Sequence, residues 1–322
     1  MCILMPYFKF FNFNINNFYN CVLIQEDQTM DESAQTFTLS KEPRLERIYN
    51  PIFEDIFVRY ADLAEGQPFY HTHNVCEIYL LLKGEINYYI NQKCFRLQAG
   101  TLLFIQPGEY HRCELVDPTV YERYVINISN KYLDLHSTVH TNLSDCFFNR
   151  PQGEPNITTL DERQIKDLLN LFESLLNLKT SKEYGQDILT ISYLLQLLVK
   201  INLLFLNQKT MEIPDIMPPL VRETLEYIDE HLLEHITLQD LSAHLYHNST
   251  YISRRFKKIT GLSIQQYILR RKIYIAQSFL QEGKSVTESC ALSGFSDYSN
   301  FSKVFKKVVG VSPKKYSLDY LQ

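Results

Sequence analysis

Between about residues 52 and 129 the apolar residues come in short runs that alternate with polar residues and stop at turn-forming positions. The runs are Glu77–Leu82, Glu85–Ile90, Phe95–Leu97 and Leu102–Ile105, with breaks at 83–84, 91–92, 98–100 and 107–108. Many short strands at near-regular spacing are typical of an antiparallel sandwich or barrel. We therefore predict an antiparallel β-barrel over residues 45–158.

From residue 161 to 209 the apolar positions follow a helical period instead. In the first helix they are three and four residues apart: Ile165, Leu168, Leu169, Phe172, Leu175 and Leu176. The second stretch, Ile188–Leu206, contains Lys200 as its only charge, so a membrane span is an alternative. Gln196, Lys200 and Asn202 favour burial against the barrel and a partner subunit. We predict no membrane span, and a helical segment at 159–210 that forms a homodimer.

Three prolines between Ile213 and Pro219 interrupt this pattern. Proline stops a helix and stiffens a connection. We predict a linker at 211–218, followed by an all-helical domain at 219–322.

That domain contains a twelve-residue phrase twice, Phe256–Tyr267 and Phe305–Tyr316, offset by 49 residues. Such self-similarity indicates two copies of one structural unit. In each copy a short helix turns a corner into a second helix, which is a helix-turn-helix. The Ser263–Gln281 segment predicts a linker helix that carries Arg270, Arg271 and Lys272, with Ile264, Ile268, Ile275 and Phe279 as its core stripe.

The outer faces of the two second helices combine short hydroxyls with long cations, which suit base edges and phosphates in a major groove. The residues are Thr250, Ser253, Arg254 and Lys257 in the first unit, and Tyr298, Ser299, Ser302, Lys303 and Lys306 in the second. A solvated helix face is the alternative, and the repeated placement argues against it. These cations also disfavour a binding protein whose two helix-turn-helix units mediate protein contacts instead of DNA contacts.

Charge and cysteine usage agree with a DNA partner in a reducing cytoplasm. From Ile213 onward the chain has 14 Lys+Arg and 11 Asp+Glu residues, whereas residues 1–212 have 18 Lys+Arg and 26 Asp+Glu. The C-terminal region is therefore about +3 and the remainder −8. The seven cysteines, scattered without metal-ligand spacing, predict neither disulfides nor a zinc ribbon: Cys2, Cys21, Cys76, Cys94, Cys113, Cys146 and Cys290. We expect residues 1–30 to be a disordered or non-native extension, with Met30 rather than Met1 as the start of translation; an ordered N-terminal arm is the alternative.

The barrel segment contains His71, His73 and Glu77, and later His111, in an order that resembles the paired motifs of the cupin barrel. If His71, His73 and Glu77 share one strand parity, they face the same way. In metal-binding cupins such residues hold one divalent ion. We instead predict a metal-free pocket without a cofactor, because Gly66 is one residue too close to His71 and Glu114 replaces an expected asparagine. The predicted ligand-binding residues are His71, His73, Glu77, Tyr79 and His111.

The helical domain resembles the AraC/XylS family of bacterial transcription regulators, over about residues 217–320. The segment Gly294–Tyr316 is close to that family's signature. The resemblance implies an α+β multidomain chain, with a cupin-like sensor barrel and two helix-turn-helix units joined by a linker helix. It also implies that the outer-face residues approach DNA bases. Tyr246 replaces a frequent corner glycine, and Ser289 occupies a usually apolar position, which predicts a weaker second unit.

The expected function is therefore ligand-responsive, sequence-specific transcription regulation in the cytoplasm, of a carbohydrate or other catabolic operon. The expected partners are double-stranded DNA, a small-molecule effector such as a sugar and, for an activator, RNA polymerase. The competing interpretation is a metal-dependent cupin isomerase or dioxygenase fused to a DNA-binding domain, which requires bound metal with an open position.

Overall fold

The structure, a computed structural model, describes residues 56–61, 69–150, 154, 156–178, 183–207 and 213–321. The predicted extension at 1–30 and the choice of Met30 lie outside these residues. The described chain divides into two compact units. The larger unit runs to Glu226 and includes Arg254–Leu262, and the smaller unit comprises Tyr227–Ser253 and the chain from Ser263 onward.

Eight described strands form two antiparallel sheets in the larger unit, as the alternating pattern predicted. They are β1 (Ile56–Ala61), β2 (Cys76–Lys83), β3 (Glu85–Ile90), β4 (Lys93–Gln98), β5 (Thr101–Ile105), β6 (His111–Leu115), β7 (Glu122–Ile128) and β8 (Asn156–Thr159). The five-stranded sheet has the order β1-β7-β2-β5-β8, and the three-stranded sheet has the order β4-β3-β6. The central β2 pairs with both β5 and β7.

Strand alternation gives the five-stranded sheet two buried faces. On β2, Tyr79 and Leu81 belong to a core shared with the three-stranded sheet. Ile78 and Leu80 point the other way and belong to a core shared with helices. Because successive side chains on a strand point to opposite faces, Glu77 shares the inner face with Tyr79. The barrel interior is therefore lined by every second residue of β2.

The turn between β2 and β3 requires glycine. Gly84 has φ +92°, a conformation that side chains rarely adopt. A Cβ at this position would collide with the carbonyl oxygen of Val120. The predicted break at Lys83-Gly84 thus marks both a tight turn and a close backbone approach.

Four described helices follow the strands of the larger unit before the linker: α1 (Asn130–His136), α2 (Asp145–Phe148), α3 (Glu162–Leu178) and α4 (Gln186–Asn207). Leu168 and Phe172 of α3 and Leu197 and Ile201 of α4 pack in the helix-facing core of the sheet. Among the described residues α4 is the one helix long and apolar enough to cross a membrane by length and composition, and 33% of its apolar window is buried. The core helix of a soluble protein can be as long and as apolar as this, and α4 supplies residues to the core of the larger unit.

The proline-rich linker lies along the edge of the three-stranded sheet. Asp215 forms an isolated antiparallel bridge with Phe95, and its carboxylate accepts from the backbone N–H of Cys94 at 3.0 Å. The backbone N–H of Ile216 donates to the carbonyl of Cys94 at 2.8 Å. Asp215 also accepts from Arg222 at 2.8 Å. This connection is therefore attached to β4 as well as stiffened by proline.

Seven helices follow: α5 (Pro219–Glu230), α6 (Leu238–Leu245), α7 (Ser249–Thr260), α8 (Ile264–Gln281), α9 (Val286–Leu292), α10 (Tyr298–Val309) and α11 (Pro313–Leu321). A capping box of Thr237 and Asp240 is present at the start of α6. Gly261 ends α7 with φ +74°, and Gly310 caps α10 with φ +87°. Local capping and stop signals thus set these helix boundaries, and the linker helix lies within one residue of the predicted Ser263–Gln281.

The predicted core stripe of the linker helix is partly wrong. Ile264 and Ile268 are buried, but Ile275 and Phe279 are only half-buried. The buried positions farther along α8 instead include Ile273, Ala276 and Leu280, and Lys272 is buried with them. The cause is that α8 packs against α9, α10 and α11, so it buries more than one stripe. In α10, Val309 is buried and Val308 is partly buried.

Candidate functional site

The barrel motif brings its histidines together through a backbone bridge. His71 and His111 exchange backbone hydrogen bonds of 3.1 and 2.9 Å, and their ring centroids lie 4.2 Å apart. The ring of His73 lies 4.9 Å from that of His111. β2 begins only at Cys76, so the predicted common strand parity of His71, His73 and Glu77 is wrong. The bridge to His111, rather than strand alternation, places His71.

Glu77 lies at the centre of the cluster. Its Oε2 accepts from Asn127 Nδ2 at 3.0 Å and lies 3.0 Å from His73 Nε2, while its Oε1 lies 4.0 Å from His111 Nε2. His73, Glu77 and His111 are buried, with ligand atoms within 4.8 Å of one another. Of the four residues of the metal-binding pattern, these three form the compact group, and His71 lies beside it against His111.

The outer nitrogen of each histidine faces a backbone carbonyl. The Nδ1 atoms of His71, His73 and His111 lie 3.3, 2.9 and 2.9 Å from the carbonyl oxygens of Phe69, Val75 and Glu109, respectively. A carbonyl oxygen only accepts, so each Nδ1 carries the proton. At His71 and His111 the Nε2 atom is then the acceptor of a neutral ring, whereas His73 Nε2 faces the Glu77 carboxylate at 3.0 Å. The Nε2 atom of His111 is buried and has no hydrogen-bond partner.

Burial and neighbouring charge set the ionisation of the cluster. Burial lowers the pKa of His71 well below its usual value, with His111 and His73 adding to the effect. Burial also lowers the pKa of His111 to about 4, against the opposing charge of Glu77. For Glu77 burial acts upward, but the hydrogen bond from His73 and the nearby His111 hold its pKa below the usual range. The cluster therefore combines the Glu77 carboxylate with neutral imidazoles at His71 and His111 at pH 7.

The sequence-predicted Tyr79 belongs to a second polar group on the inner face. Its hydroxyl lies 2.7 Å from the hydroxyl of Tyr121 and 3.6 Å from Cys113 Sγ. The guanidinium of Arg123 lies over the rings of Tyr79 and Tyr121, at 5.5 and 5.4 Å from their centroids. The ring of Tyr88 stacks almost parallel to that of His111, at an interplanar angle of 4°.

Sequence reasoning missed four inner-face residues: Tyr88, Tyr121, Arg123 and Asn127. On β7 the register sets Asn127 opposite Glu77 and Val125 opposite Tyr79. Arg123, Val125 and Asn127 alternate along β7 and share one face. Once the pairing with β2 is known, this alternation places Arg123 and Asn127 on the inner face. The barrel interior thus contains a histidine–carboxylate cluster at one position and a tyrosine–arginine group at another.

In the helical region the predicted outer-face residues point to solvent. Asn248 accepts from the backbone N–H of Thr250 at 2.9 Å, and Asp297 caps α10 through Asn300. Seven of the nine are exposed, and Ser253 and Ser302 are half-buried: Thr250, Ser253, Arg254 and Lys257 on α7, and Tyr298, Ser299, Ser302, Lys303 and Lys306 on α10. Within each helix these side chains form one accessible surface opposite a buried aromatic stripe that includes Phe256 or Phe301 and Phe305.

The cations of the linker helix have internal partners. Arg271 donates to Asp229 at 2.8 Å, and Lys272 donates to the backbone carbonyls of Glu234 and Gly294 at 3.0 and 2.9 Å. Lys272 is 8% exposed, so it is not part of an outer charged surface.

Two family models match the chain. Residues 55–198 match an AraC-like ligand binding domain, and residues 241–318 match a helix-turn-helix domain. Together the two matches cover both predicted regions.

Several curated relatives are similar to the chain. RhaR of Yersinia pseudotuberculosis, an HTH-type transcriptional activator, is 24% identical over 257 residues, which cover 78% of this chain and 85% of RhaR. LumQ of Photobacterium leiognathi, named a probable transcriptional regulator, is 31% identical over 139 residues. That match covers 42% of this chain and only 54% of LumQ. Among solved structures, ToxT of Vibrio cholerae aligns over 83% of this chain and 100% of its own, with 12% identity and a TM-score of 0.33.

Proposed function

Because the chain belongs to the AraC family of transcription regulators, we propose that α7 and α10 read DNA and that the barrel interior binds the effector. The observation that carries this proposal is the repeated outward placement of hydroxyls and cations on two capped helices. Arg254 and Lys303 are the exposed cations at equivalent places in the two helices. Long cations of this kind donate to guanine edges or to phosphates in the major groove.

The DNA proposal is tested on a duplex selected by the full-length protein from a random library. Arg254→Ala and Lys303→Ala should each weaken specific binding by about 1 to 3 kcal/mol if the contact is to a base. The matched control is Lys314→Ala, which removes an exposed lysine outside both reading helices. Unchanged affinity in both test variants would reject the assigned reading faces.

For the barrel we propose a small polar effector that contacts His71, His73, Glu77, Tyr79 and His111, with Asn127 and Arg123 on the same inner face. A sugar fits the hydrogen-bonding groups, and a carbohydrate operon is the corresponding target. A panel of sugars and organic acids should shift the melting of the full chain for at least one class. Glu77→Ala should remove that shift and leave DNA affinity without effector unchanged, because Glu77 lies inside the barrel.

A divalent cation at His73, Glu77 and His111 is a second candidate for the same cluster. Metal-bound histidines usually donate their other ring N–H to a carbonyl or carboxylate, as each Nδ1 here faces a carbonyl. Two ligands at about 2.1 Å from one ion and at right angles lie about 3 Å apart, close to the His73–Glu77 separation. The neutral imidazole and carboxylate donors suit zinc, manganese, iron or nickel.

Metal analysis separates the two candidates. The full chain is stripped, reloaded separately with each of these metals and dialysed, alongside His73→Ala and the control His244→Ala. One equivalent in the wild type and in the control, lost in His73→Ala, would establish the cation. No retained metal in the wild type would leave the metal-free effector pocket.

The effector signal is proposed to leave the barrel through the linker. Asp215 joins the edge strand β4 to Arg222 of α5 by the contacts described above. An effector changes DNA binding only if it has different affinities for two arrangements of the protein. Asp215→Ala should therefore retain effector binding and reduce its influence on DNA affinity, while Glu154→Ala, which removes another acidic contact of β4, should not.

The exposed side of α4 supports a homodimer. Ile188, Val199, Leu203 and Leu206 lie at helical spacing and are 38–64% exposed. Together with half-buried Leu195 they form an apolar strip on the helix. Symmetric pairing of this strip with a second copy would bury it. Sedimentation should show a dimer that Leu203→Glu dissociates and Leu135→Glu, at an exposed leucine of α1, does not. A monomeric wild type would reject the proposal.

Activation through RNA polymerase and action in the cytoplasm complete the proposal. Support for activation is the description of RhaR as a transcriptional activator. Transcription in vitro from a promoter that carries the selected duplex tests it: more transcript indicates activation, and less indicates repression.

A further inference from the structure

Lys272 is unusual among the cations of the helical region. Of the lysines that the structure describes, it alone is buried. It lies in the middle of α8, next to the buried Ile273 and within one turn of Ile268 and Ala276. Burying an ammonium group is costly unless hydrogen bonds compensate for lost water. Its position therefore calls for specific acceptors.

Both observed acceptors are backbone carbonyls from separate parts of the smaller unit. Glu234 lies between α5 and α6, just before the first helix-turn-helix. Gly294 lies at the corner between α9 and α10, inside the second. One ammonium group thus bonds both the segment that leads into the first helix-turn-helix and the corner of the second helix-turn-helix.

The two acceptor segments also touch each other. A Cβ on Gly294 would lie 2.8 Å from the carbonyl oxygen and 3.0 Å from the Cα of Leu233. The backbone before Glu234 therefore packs directly against the second corner, where only glycine leaves enough room. Arg271, next to Lys272, ties α8 to Asp229 of α5 as well. These contacts make a rigid junction around the linker helix.

We infer that Lys272 is a positioning residue that fixes the DNA spacing at which the two helix-turn-helix units bind together. The inference rests on the proposed function, since spacing matters only if both units contact DNA. Two helices enter successive major grooves only when their separation matches about one helical turn of about 34 Å. A junction that resists deformation penalises any other spacing. Without the ammonium bridge the two units can adjust their separation at lower cost.

The test compares the selected duplex with the same duplex lengthened by two base pairs between its half-sites. That insertion increases the distance between the half-sites by about 7 Å and rotates one half-site relative to the other by about 70°. The full chain, Lys272→Met and Lys272→Arg are compared, with Lys284→Met as the matched control because Lys284 is only partly buried and follows α8. The readout is the affinity ratio between the two duplexes. A general loss of folded protein would not change this ratio.

The wild type, Lys284→Met and Lys272→Arg, which keeps a donor cation, should prefer the native spacing strongly. Lys272→Met should reduce that preference on the order of tenfold. The same ratio in Lys272→Met as in the wild type would overturn the inference while leaving the DNA proposal intact. If Lys272→Met does not fold, Lys272→Gln replaces it, and an unchanged ratio there would likewise overturn the inference. Failure of the wild type to select any duplex would instead reject the proposed function.

Discussion

The two helix-turn-helix units share a frame but close their corners in different ways. Each first helix starts with a capping box, Thr237 with Asp240 and Ser285 with Glu288. The first corner is Tyr246, a non-glycine residue at φ +53° whose side chain is 93% exposed. The second corner is Gly294, at φ +78°, which packs against Leu233. A solvent-facing corner tolerates a side chain at a cost in backbone strain, whereas a packed corner does not.

The interiors of the two units differ as well. Four residues after each N-cap, the first unit has buried Leu241 and the second has buried Ser289. The Oγ of Ser289 has no hydrogen-bond partner. A buried hydroxyl without a partner costs stability that a leucine in the same place does not. The structure thus gives a physical basis for the prediction that the second unit is the weaker one.

The largest expected effect is at the packed corner. Gly294→Ala should destabilise the helical unit by about 3 kcal/mol, because it combines strain at positive φ with a backbone clash. Hydrogen exchange of α9 and α10 in the full chain measures this locally. Gly283→Ala is the control: it has a similar φ of +83° but meets no atom within 4 Å. Equal losses of stability in both variants would show that backbone strain alone causes the destabilisation. This result would contradict the proposed packing difference between the two corners.

A smaller effect separates Ser289 of α9 from Ser293, the residue that caps the end of this helix. Ser289→Ala should stabilise the second unit by about 1 kcal/mol, because it removes a hydroxyl without a partner. Ser293→Ala should destabilise it by a similar amount, since the Ser293 hydroxyl donates to the carbonyl of Ser289 at 2.6 Å. Opposite shifts in the exchange protection of α9 are expected. Two shifts of the same sign would contradict the account of the weaker unit.

The smallest effect is at the exposed corner. Tyr246→Gly should leave the first unit equally stable or stabilise it by up to about 1 kcal/mol, through relief of the left-handed strain. Protection of the α6 amides reports this change. A clear loss of protection would mean that the Tyr246 side chain contributes packing that its exposure does not indicate.

The sequence predicted the breaks between strands and the linker helix because local signals determine them. The turn at 83–84 depends on a few neighbouring residues, and so does the start of the linker helix, where Ser263 is the N-cap. Arg123 and Asn127 escaped prediction because their place on the inner face depends on the pairing of β7 with β2, a contact between distant segments.

The role of Lys272 escaped prediction for a related reason. Its acceptors are backbone carbonyls, which any residue supplies, so no side chain in the sequence marks the bond. The inward direction of Lys272 follows only from the packing of α8 against several helices.

The most direct test of the central claim is a base-by-base map of the preferred DNA sequence for the full chain, Arg254→Ala and Lys303→Ala. We expect Arg254→Ala to relax base preference in one half-site only and Lys303→Ala to relax it only in the other. Identical base preferences in all three proteins, with or without a uniform loss of affinity, would contradict the claim that each helix reads its own half of the target.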